Sequence, residues 1–208
     1  MDKDAILKGT TTVGLVCSDG VVFAADKRAT MGYFIANREV NKISKIDDAM
    51  AMTIAGSVAD AQALTRIIRA EIQLYKLRSG KPMSVTSAAS ILSNLMFQYK
   101  VFPFYVQLLV GGVDDSPKIF NLDPIGGVTE ETVVSTGSGS PIAYGLLEDE
   151  YVPNKPVKDN LKLGLRAVGV AMKRDCASGD GVDLVTITKT SVRKHKKEEI
   201  KKLLDQVR

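Results

Sequence analysis

Two spacings of hydrophobic positions divide the first half of the chain into strands and helices. β-Branched and apolar residues run through 11–17 and 21–25, on either side of a Ser-Asp-Gly turn, which predicts a β-hairpin. A third apolar run covers 49–55. From 57 to 79 the apolar residues recur every three or four positions, and residues 84–100 repeat that spacing. This period is typical of amphipathic helices, so two long helices are predicted to follow the first strands.

The second half alternates between the same two patterns. The predicted strands are 105–113, 118–121, 131–135 and 183–188, and the predicted helices are 140–151 and 157–175. At the start of the first long helix, Ser57 and Asp60 have the spacing of a capping box. The order of strands, two helices, strands, two helices and a strand predicts an α+β fold in which helix pairs cover antiparallel sheets. No linker or repeat interrupts it, which favours one domain.

The composition is that of an ordinary globular protein, with 208 residues, 45% of them hydrophobic, and a mean hydropathy of +0.02. No apolar run reaches the roughly 18–20 residues of a membrane helix, and residues 1–9 lack the apolar region of a secretory signal. Cys17 and Cys176 stand far apart, which predicts neither a disulfide framework nor a CxxC metal site. We therefore expect a cytoplasmic protein of a reducing compartment, without membrane attachment.

The positive charge is concentrated at the carboxyl end. Residues 193–208 contain seven Lys or Arg and three Asp or Glu, which gives this segment a net charge of +4. The whole chain has the same net charge. This pattern predicts a solvated helical tail. Nucleic-acid binding by the tail is a weaker alternative because aromatic residues are absent from it. Salt-dependent binding that is lost when residues 193–208 are deleted would indicate such a role.

Histidine is nearly absent, which restricts the possible chemistry. The one histidine, His195, lies in the lysine-rich tail, where a solvated residue is expected. A catalytic triad that depends on this histidine is therefore disfavoured. A zinc site with two or three histidines is excluded within one chain. A cut between Gly9 and Thr10 would give Thr10 both a hydroxyl and an α-amine with an ordinary pKa of about 7.7–8.0. One residue would then supply nucleophile and base, although a run of threonines also simply favours a strand.

Several short segments resemble one enzyme family. They are GTTTVG at 9–14, ADKRAT at 25–30, Lys42, TIAGS at 53–57, LVGG at 109–112, STGSGS at 135–140 and RDCASG at 174–179. In this order and spacing they resemble the proteasome β-subunit family, its archaeal members in particular, over about residues 9–190. The resemblance implies the fold of the N-terminal nucleophile hydrolases, a four-layer αββα sandwich of two antiparallel sheets.

The resemblance implies a nucleophile and the groups beside it. Thr10 matches the nucleophile, and Gly9–Thr10 matches a bond that the chain cleaves itself, for which Gly9 is suited by its backbone freedom. Asp26 and Lys42 match a buried acid and a buried lysine beside the nucleophile. Lys42 either loses its proton more easily beside a second cation or stays charged, paired with Asp26, and favours ionisation of the hydroxyl. The sequence leaves both possibilities open.

The remaining implied site residues bind the reacting groups or the substrate. Gly56 matches a backbone N–H donor to the oxyanion. The polar groups that hold the Thr10 amine and its water are matched by Ser138, Asp175 and Ser178, and Arg28 matches a structural arginine. The pocket for the substrate side chain matches Ala29, Val40, Ile54 and Val58. This apolar pocket predicts cleavage after large apolar residues. Taken singly, each residue also fits an ordinary salt bridge, helix cap, turn or core position.

The resemblance implies a domain plan and a set of partners. Residues 1–9 would be a leader removed autocatalytically, which makes the chain a zymogen, and 10–208 would be one catalytic domain with the basic tail 193–208. The mature chain would be a threonine endopeptidase that cleaves unfolded proteins through an acyl ester on Thr10, without metal or cofactor. It would form two stacked seven-membered rings, capped by α-subunit rings that an ATP-dependent unfoldase feeds. The alternatives are an inactive structural ring subunit and a bacterial-type two-ring peptidase of the same superfamily.

Overall fold

Two five-stranded antiparallel sheets lie face to face between two helix pairs in the computed structural model, which describes residues 9–205. Most of the predicted leader and the last three residues lie outside the described residues. The strands are β1 (Thr12–Cys17), β2 (Gly20–Asp26), β3 (Ala29–Met31), β4 (Phe34–Asn37), β5 (Ile43–Asp47), β6 (Met50–Gly56), β7 (Val106–Val113), β8 (Pro117–Leu122), β9 (Val128–Glu131), β10 (Val133–Thr136), β11 (Val182–Thr188) and β12 (Ser191–Lys194). The helices are α1 (Val58–Ser79), α2 (Val85–Gln98), α3 (Ser140–Glu150), α4 (Val157–Ala171) and α5 (Lys197–Asp205).

The strand order brings distant parts of the sequence together at one end of the sheets. The first sheet has the order β10-β1-β2-β11-β12, and the second has the order β5-β6-β7-β8-β9. Strands β3 and β4 form a separate hairpin. Because β1 lies between β10 and β2, the start of β1 is flanked by the end of β10 and the end of β2. The four-layer α+β sandwich expected from the sequence is confirmed.

The side chains of the strands point alternately to the two faces of each sheet and form three apolar layers. In β2, Val22 and Ala24 pack with residues of α3 and α4, whereas Val21 and Phe23 pack between the sheets. A third cluster joins the second sheet to α1 and α2. Successive side chains of a strand point to opposite faces, so strands with both faces covered are apolar throughout.

Short and irregular elements were not predicted. The hairpin of β3 and β4, strand β5 and strand β12 have three to five residues each. The predicted strand 131–135 is divided between β9 and β10, which belong to different sheets. The predicted capping box is wrong: the Ser57 side chain makes no capping hydrogen bond, and Asp60 Oδ2 accepts from the Tyr105 N–H at 3.1 Å.

The carboxyl-terminal tail is more closely packed than a solvated helix. Strand β12 pairs with β11, and Ile200 of α5 is buried in the cluster beneath α3 and α4. The expectation that His195 is solvated is also wrong, because its side chain is 9% exposed and approaches Thr186 and Glu199. Burial lowers the pKa of His195 below its ordinary value. Within residues 9–205, no helix is long and apolar enough to cross a membrane.

Candidate active site

Thr10 lies just before β1 and is 3% exposed. Gly9 precedes it, so the Thr10 nitrogen is an amide, and it donates to Ser138 Oγ at 3.1 Å. The Thr10 hydroxyl donates to the Gly9 carbonyl oxygen at 2.7 Å. The Thr10 carbonyl oxygen accepts from the Gly139 N–H at 3.2 Å. Both sides of the Gly9–Thr10 bond are therefore held by contacts within the fold.

Gly9 is required here for space. A Cβ at Gly9 would lie 1.6 Å from the Cβ of Ala177 and 2.8 Å from its Cα. The Gly9 N–H donates to Thr30 Oγ1 at 3.2 Å, which fixes the chain on the amino side of the Gly9–Thr10 bond. Close approach to the loop at Ala177 thus gives a reason for a glycine at this position beside the backbone freedom expected from the sequence.

Asp26, the last residue of β2, accepts four hydrogen bonds and is fully buried. Its Oδ1 accepts from the Thr11 N–H at 3.0 Å and from Lys42 Nζ at 2.7 Å. Its Oδ2 accepts from the N–H groups of Arg28 and Gly179 at 3.0 and 2.9 Å. One buried carboxylate thus joins the residue after Thr10, the lysine and the 174–181 segment. Hydrogen bonds to a carboxylate are stronger than those between neutral groups, so these four donors hold Asp26 firmly in its buried position.

Lys42 follows an irregular segment and precedes β5. It is 5% exposed, and its ammonium lies against Asp26. Burial lowers the pKa of Lys42 below its ordinary value, while the negative charge and hydrogen bond of Asp26 act in the opposite direction. The paired carboxylate offers a physical reason for the ammonium to persist in a buried site.

A chain of hydroxyls leads from Thr10 to Asp175. Oδ2 of Asp175 accepts from Ser138 Oγ and from Ser178 Oγ, both at 2.6 Å. Ser138 contacts the Thr10 nitrogen, whereas Ser178 lies 2.7 Å from Thr11 Oγ1. The structure therefore brings all three predicted residues together. Ser178 reaches Thr10 only through its neighbours, and Ser138 is the direct contact.

The guanidinium of Arg28 ties the 174–181 segment to the site. It donates to the Cys176 carbonyl oxygen at 2.9 Å and to Asp180 Oδ2 at 2.7 Å. Asp180 has a φ of 64°, which residues other than glycine seldom adopt. Its carboxylate also accepts from Arg38 Nη1 at 2.7 Å. The sequence carries no signal for Asp180, because its contacts come from two arginines that are distant in the sequence.

A cavity of about 600 Å³ opens beside Thr10. Its walls include Lys42, Gly56 and all four predicted pocket residues, Ala29, Val40, Ile54 and Val58. A Cβ at Gly56 would lie 2.2 Å from the Tyr105 carbonyl oxygen, and its φ is 121°, so only glycine fits. The side chain of Thr30 and two arginines of α1, Arg66 and Arg69, also line the cavity and were not predicted. Helical spacing alone did not distinguish these arginines from solvated residues.

Comparison with known proteins gives one consistent result. The family model described as Proteasome subunit matches residues 6–187. The chain is 54% identical over 201 residues to a proteasome subunit beta of Methanocaldococcus vulcanius, covering 95% of this chain and 90% of that protein. It is 53% identical over 208 residues to one of Archaeoglobus profundus, covering 99% and 97%. It is 52% identical over 210 residues to a proteasome subunit beta of Ferroglobus placidus, covering 100% of both chains.

Proposed function

The chain belongs to the proteasome subunit family, and from this premise we propose that Thr10 is the nucleophile of its peptidase site. The protein is a threonine endopeptidase subunit of the proteasome core. The observation that supports Thr10 above the neighbouring threonines is its position. Its nitrogen contacts Ser138, its hydroxyl contacts the Gly9 carbonyl, and it lines the cavity that also contains Lys42.

Maturation is proposed to proceed by attack of Thr10 Oγ1 on the Gly9 carbonyl carbon. The C–N bond breaks as the nitrogen gains a proton, and residues 1–9 are left as an ester on the hydroxyl. Water then hydrolyses this ester, which releases the leader with a free carboxylate and leaves Thr10 with an amine and a hydroxyl. The hydroxyl already lies 2.7 Å from the carbonyl oxygen of this bond.

Peptide hydrolysis repeats the same bond changes on a substrate. The free amine of Thr10 accepts the hydroxyl proton while Oγ1 attacks the scissile carbonyl carbon. The Gly56 N–H is proposed to stabilise the resulting oxyanion, and the amine then protonates the departing nitrogen. Water, with the same amine as base, hydrolyses the acyl ester. Lys42 is proposed to remain cationic against Asp26, since it lies 2.7 Å from that carboxylate, and its charge favours ionisation of the hydroxyl.

Ser138, Asp175 and Ser178 are proposed to orient the amine and its water. Before the cut, the Thr10 nitrogen already donates to Ser138, and Asp175 accepts from both serines. After the cut the same acceptor would hold the amine with its lone pair free for the hydroxyl proton. Such prior arrangement of donors and acceptors is a major source of catalysis in enclosed sites.

As a subunit of the proteasome core, the chain assembles with other subunits. We further infer two stacked seven-membered rings of this chain, capped by rings of a related α subunit and supplied with unfolded protein by an ATP-dependent unfoldase in the cytoplasm. Family membership supports this arrangement. Native mass spectrometry of this chain, alone and with the α subunit, measures the stoichiometry directly.

The decisive experiment compares variants of a chain expressed without residues 1–9. Thr10→Ala is expected to abolish hydrolysis of a fluorogenic peptide, whereas Thr10→Ser retains it and Thr129→Ala, on the exposed strand β9, is unaffected. Assembled particles of each variant are compared so that assembly is controlled. Hydrolysis by assembled Thr10→Ala particles would refute the nucleophile, and assembled wild-type particles without activity would favour the structural ring subunit.

A further inference from the structure

Residues 38–42, here called the Lys42 loop, form neither strand nor helix. Yet the loop carries Val40, which lines the cavity, and Lys42, which pairs with Asp26. A segment without regular structure depends on individual contacts to keep its side chains in one position. The contacts that hold this loop therefore bear on the site itself.

Two backbone hydrogen bonds hold the loop to the body of the domain. The Val40 N–H donates to the Lys27 carbonyl oxygen, and the Ile54 N–H donates to the Lys42 carbonyl oxygen, both at 3.0 Å. Neither bond involves Asn41, which lies between Val40 and the buried lysine and also lines the cavity. Its side chain is held from another part of the chain.

The basic tail supplies that contact. Lys194, the last residue of β12, donates from Nζ to Asn41 Oδ1 at 3.0 Å and to Asp183 Oδ2 at 2.8 Å. A second tail residue, Lys197, lies 2.8 Å from Glu39 of the loop. Lys194 and Lys197 belong to the tail that was expected to be solvated. Both contact the segment that precedes Lys42.

The two tail contacts differ in the burial of the carboxylate, although Lys194 is itself 48% exposed and its hydrogen bond to Asn41 is exposed. Lys197 and Glu39 are 75% and 69% exposed, and ion pairs of this kind contribute little. Asp183 is 5% exposed, and its other oxygen lies 3.2 Å from Lys27 Nζ. A buried carboxylate favours nearby cations, and Lys27 and Lys194 each pair with one oxygen of Asp183. Asp183 thus fixes the lysine that donates to Asn41.

We propose that Lys194 is a positioning residue of the peptidase site, which acts through Asn41 to hold the Lys42 loop. The proposal rests on the proposed function, in which Lys42 provides charge beside Thr10. It gives the first part of the basic tail a role in catalysis, although Lys194 touches neither the substrate cavity nor Thr10. Loss of the contact lets the loop move, and small displacements of a charged group reduce catalysis strongly.

The test is peptide hydrolysis by mature particles of Lys194→Met, with Lys189→Met as the matched control. Lys189 lies in the turn of the same hairpin and, within residues 9–205, makes no ion pair. Lys194→Met is expected to lower kcat about three- to tenfold, with assembly and melting temperature as in the control. Lys194→Arg, which can still donate to both acceptors, is expected to restore kcat. Equal kcat in Lys194→Met and Lys189→Met overturns the proposal.

Asn41→Ala and Lys194→Met in a double-variant comparison separate positioning from other effects. Asn41→Ala leaves the pair of Lys194 and Asp183 intact and removes the link to the loop, but it also changes the cavity wall directly. It is expected to lower kcat at least as much as Lys194→Met, and the double variant is expected to be no worse than Asn41→Ala alone, whereas additive losses would overturn the proposal. Full activity of Asn41→Ala beside an impaired Lys194→Met would overturn the proposal. If Lys194→Met does not assemble, the same double-variant comparison is made with Lys194→Gln, which has a shorter and uncharged side chain.

A parallel Lys42→Ala variant distinguishes the two levels of inference. Loss of activity in Lys42→Ala with normal activity in Asn41→Ala would refute only the role of Lys194. Normal activity in Lys42→Ala would refute the proposed role of Lys42, on which the inference depends.

Discussion

The hydroxyl of Thr10 donates a 2.7 Å hydrogen bond to the carbonyl oxygen of Gly9, the residue to which Thr10 is joined. The contact is buried, and the bond between the two residues is fixed on both sides by Thr30 and Ser138. The hydroxyl and the carbonyl of this bond are thus already in contact within one chain, as the proposed self-cleavage requires.

The first prediction concerns this cleavage. Thr10→Ala is expected to retain residues 1–9 because it has no hydroxyl, whereas Thr10→Ser is expected to lose them. Intact mass and amino-terminal sequencing of assembled particles measure the outcome, with Thr129→Ala as the control. A Thr10→Ala chain that matures at the same bond in a protease-free preparation would contradict self-cleavage.

The second prediction concerns the space at Gly9. Gly9→Ala is expected to slow maturation by about tenfold or more, because its Cβ would overlap Ala177 and push the bond away from the hydroxyl. Ala177→Gly in the same chain removes the worst overlap and is expected to restore part of the rate. The rest remains lost, since the Cα of residue 177 would still lie 2.8 Å from the new Cβ. Fast maturation of Gly9→Ala alone would show that close packing is not required.

Some features could be predicted from sequence and others could not. The periods of the hydrophobic residues gave the helix pairs and the long strands, because those elements bury whole faces. Strand β3 and the Lys42 loop are too short to show a period. The segment resemblance selected Thr10 and Lys42, which the structure brings into one cavity. The contact between Gly9 and Ala177 has no local signal, since it arises only when the sheets are assembled.

The third prediction concerns Lys42. Lys42→Ala is expected to lower kcat about 100-fold or more while particles still assemble, because the charge beside the hydroxyl is lost. Lys42→Arg is expected to fail as well, since a forked guanidinium does not replace a compact ammonium in a buried site against Asp26. Lys45→Ala, on the exposed face of β5, is the control. Near-normal turnover in either Lys42 variant would remove Lys42 from the mechanism.

The fourth prediction concerns pH. Activity is expected to rise with pH as the Thr10 amine loses its proton and to fall at higher pH as Lys42 loses its own. Burial lowers the pKa of Lys42 more than the negative charges of Asp26 and, to a smaller extent, Asp175 raise it, so the falling limb lies below the pKa of an ordinary lysine. Asp175→Asn removes a charge that favours both cations. It is therefore expected to move both limbs of kcat/KM to lower pH.

Exposed Asp115→Asn is the control for this pH profile. A rising limb that moves to higher pH in Asp175→Asn would contradict the assignment of that limb to the Thr10 amine. Unchanged limbs would place Asp175 too far from both groups to act on their charge.

The last prediction concerns the residue after which the enzyme cleaves. The cavity beside Thr10 is lined by Val40, Ile54 and Val58, and among the described residues no carboxylate lines it. An incoming Lys or Arg would find no anion, and burying it unpaired would cost several kcal/mol, whereas each buried methylene gains about 0.8 kcal/mol. Arg66 at the cavity wall would add repulsion to a cationic side chain. Cleavage after Leu, Phe or Tyr is therefore expected to be fastest.

Fluorogenic peptides that differ only at this position, assayed on mature particles, measure the preference. Ile54→Ala enlarges the cavity and is expected to shift the preference from Leu towards Phe and Tyr by about threefold to tenfold. This corresponds to the burial of about one or two further methylene groups. Ile125→Ala, at an exposed position away from the cavity, is the control. Faster turnover after Arg than after Leu or Tyr would show that groups outside this cavity wall determine the preference. Faster turnover after Glu would show that Arg66 and Arg69 of the wall determine it rather than its apolar residues. Thr10 would remain the proposed nucleophile in both cases.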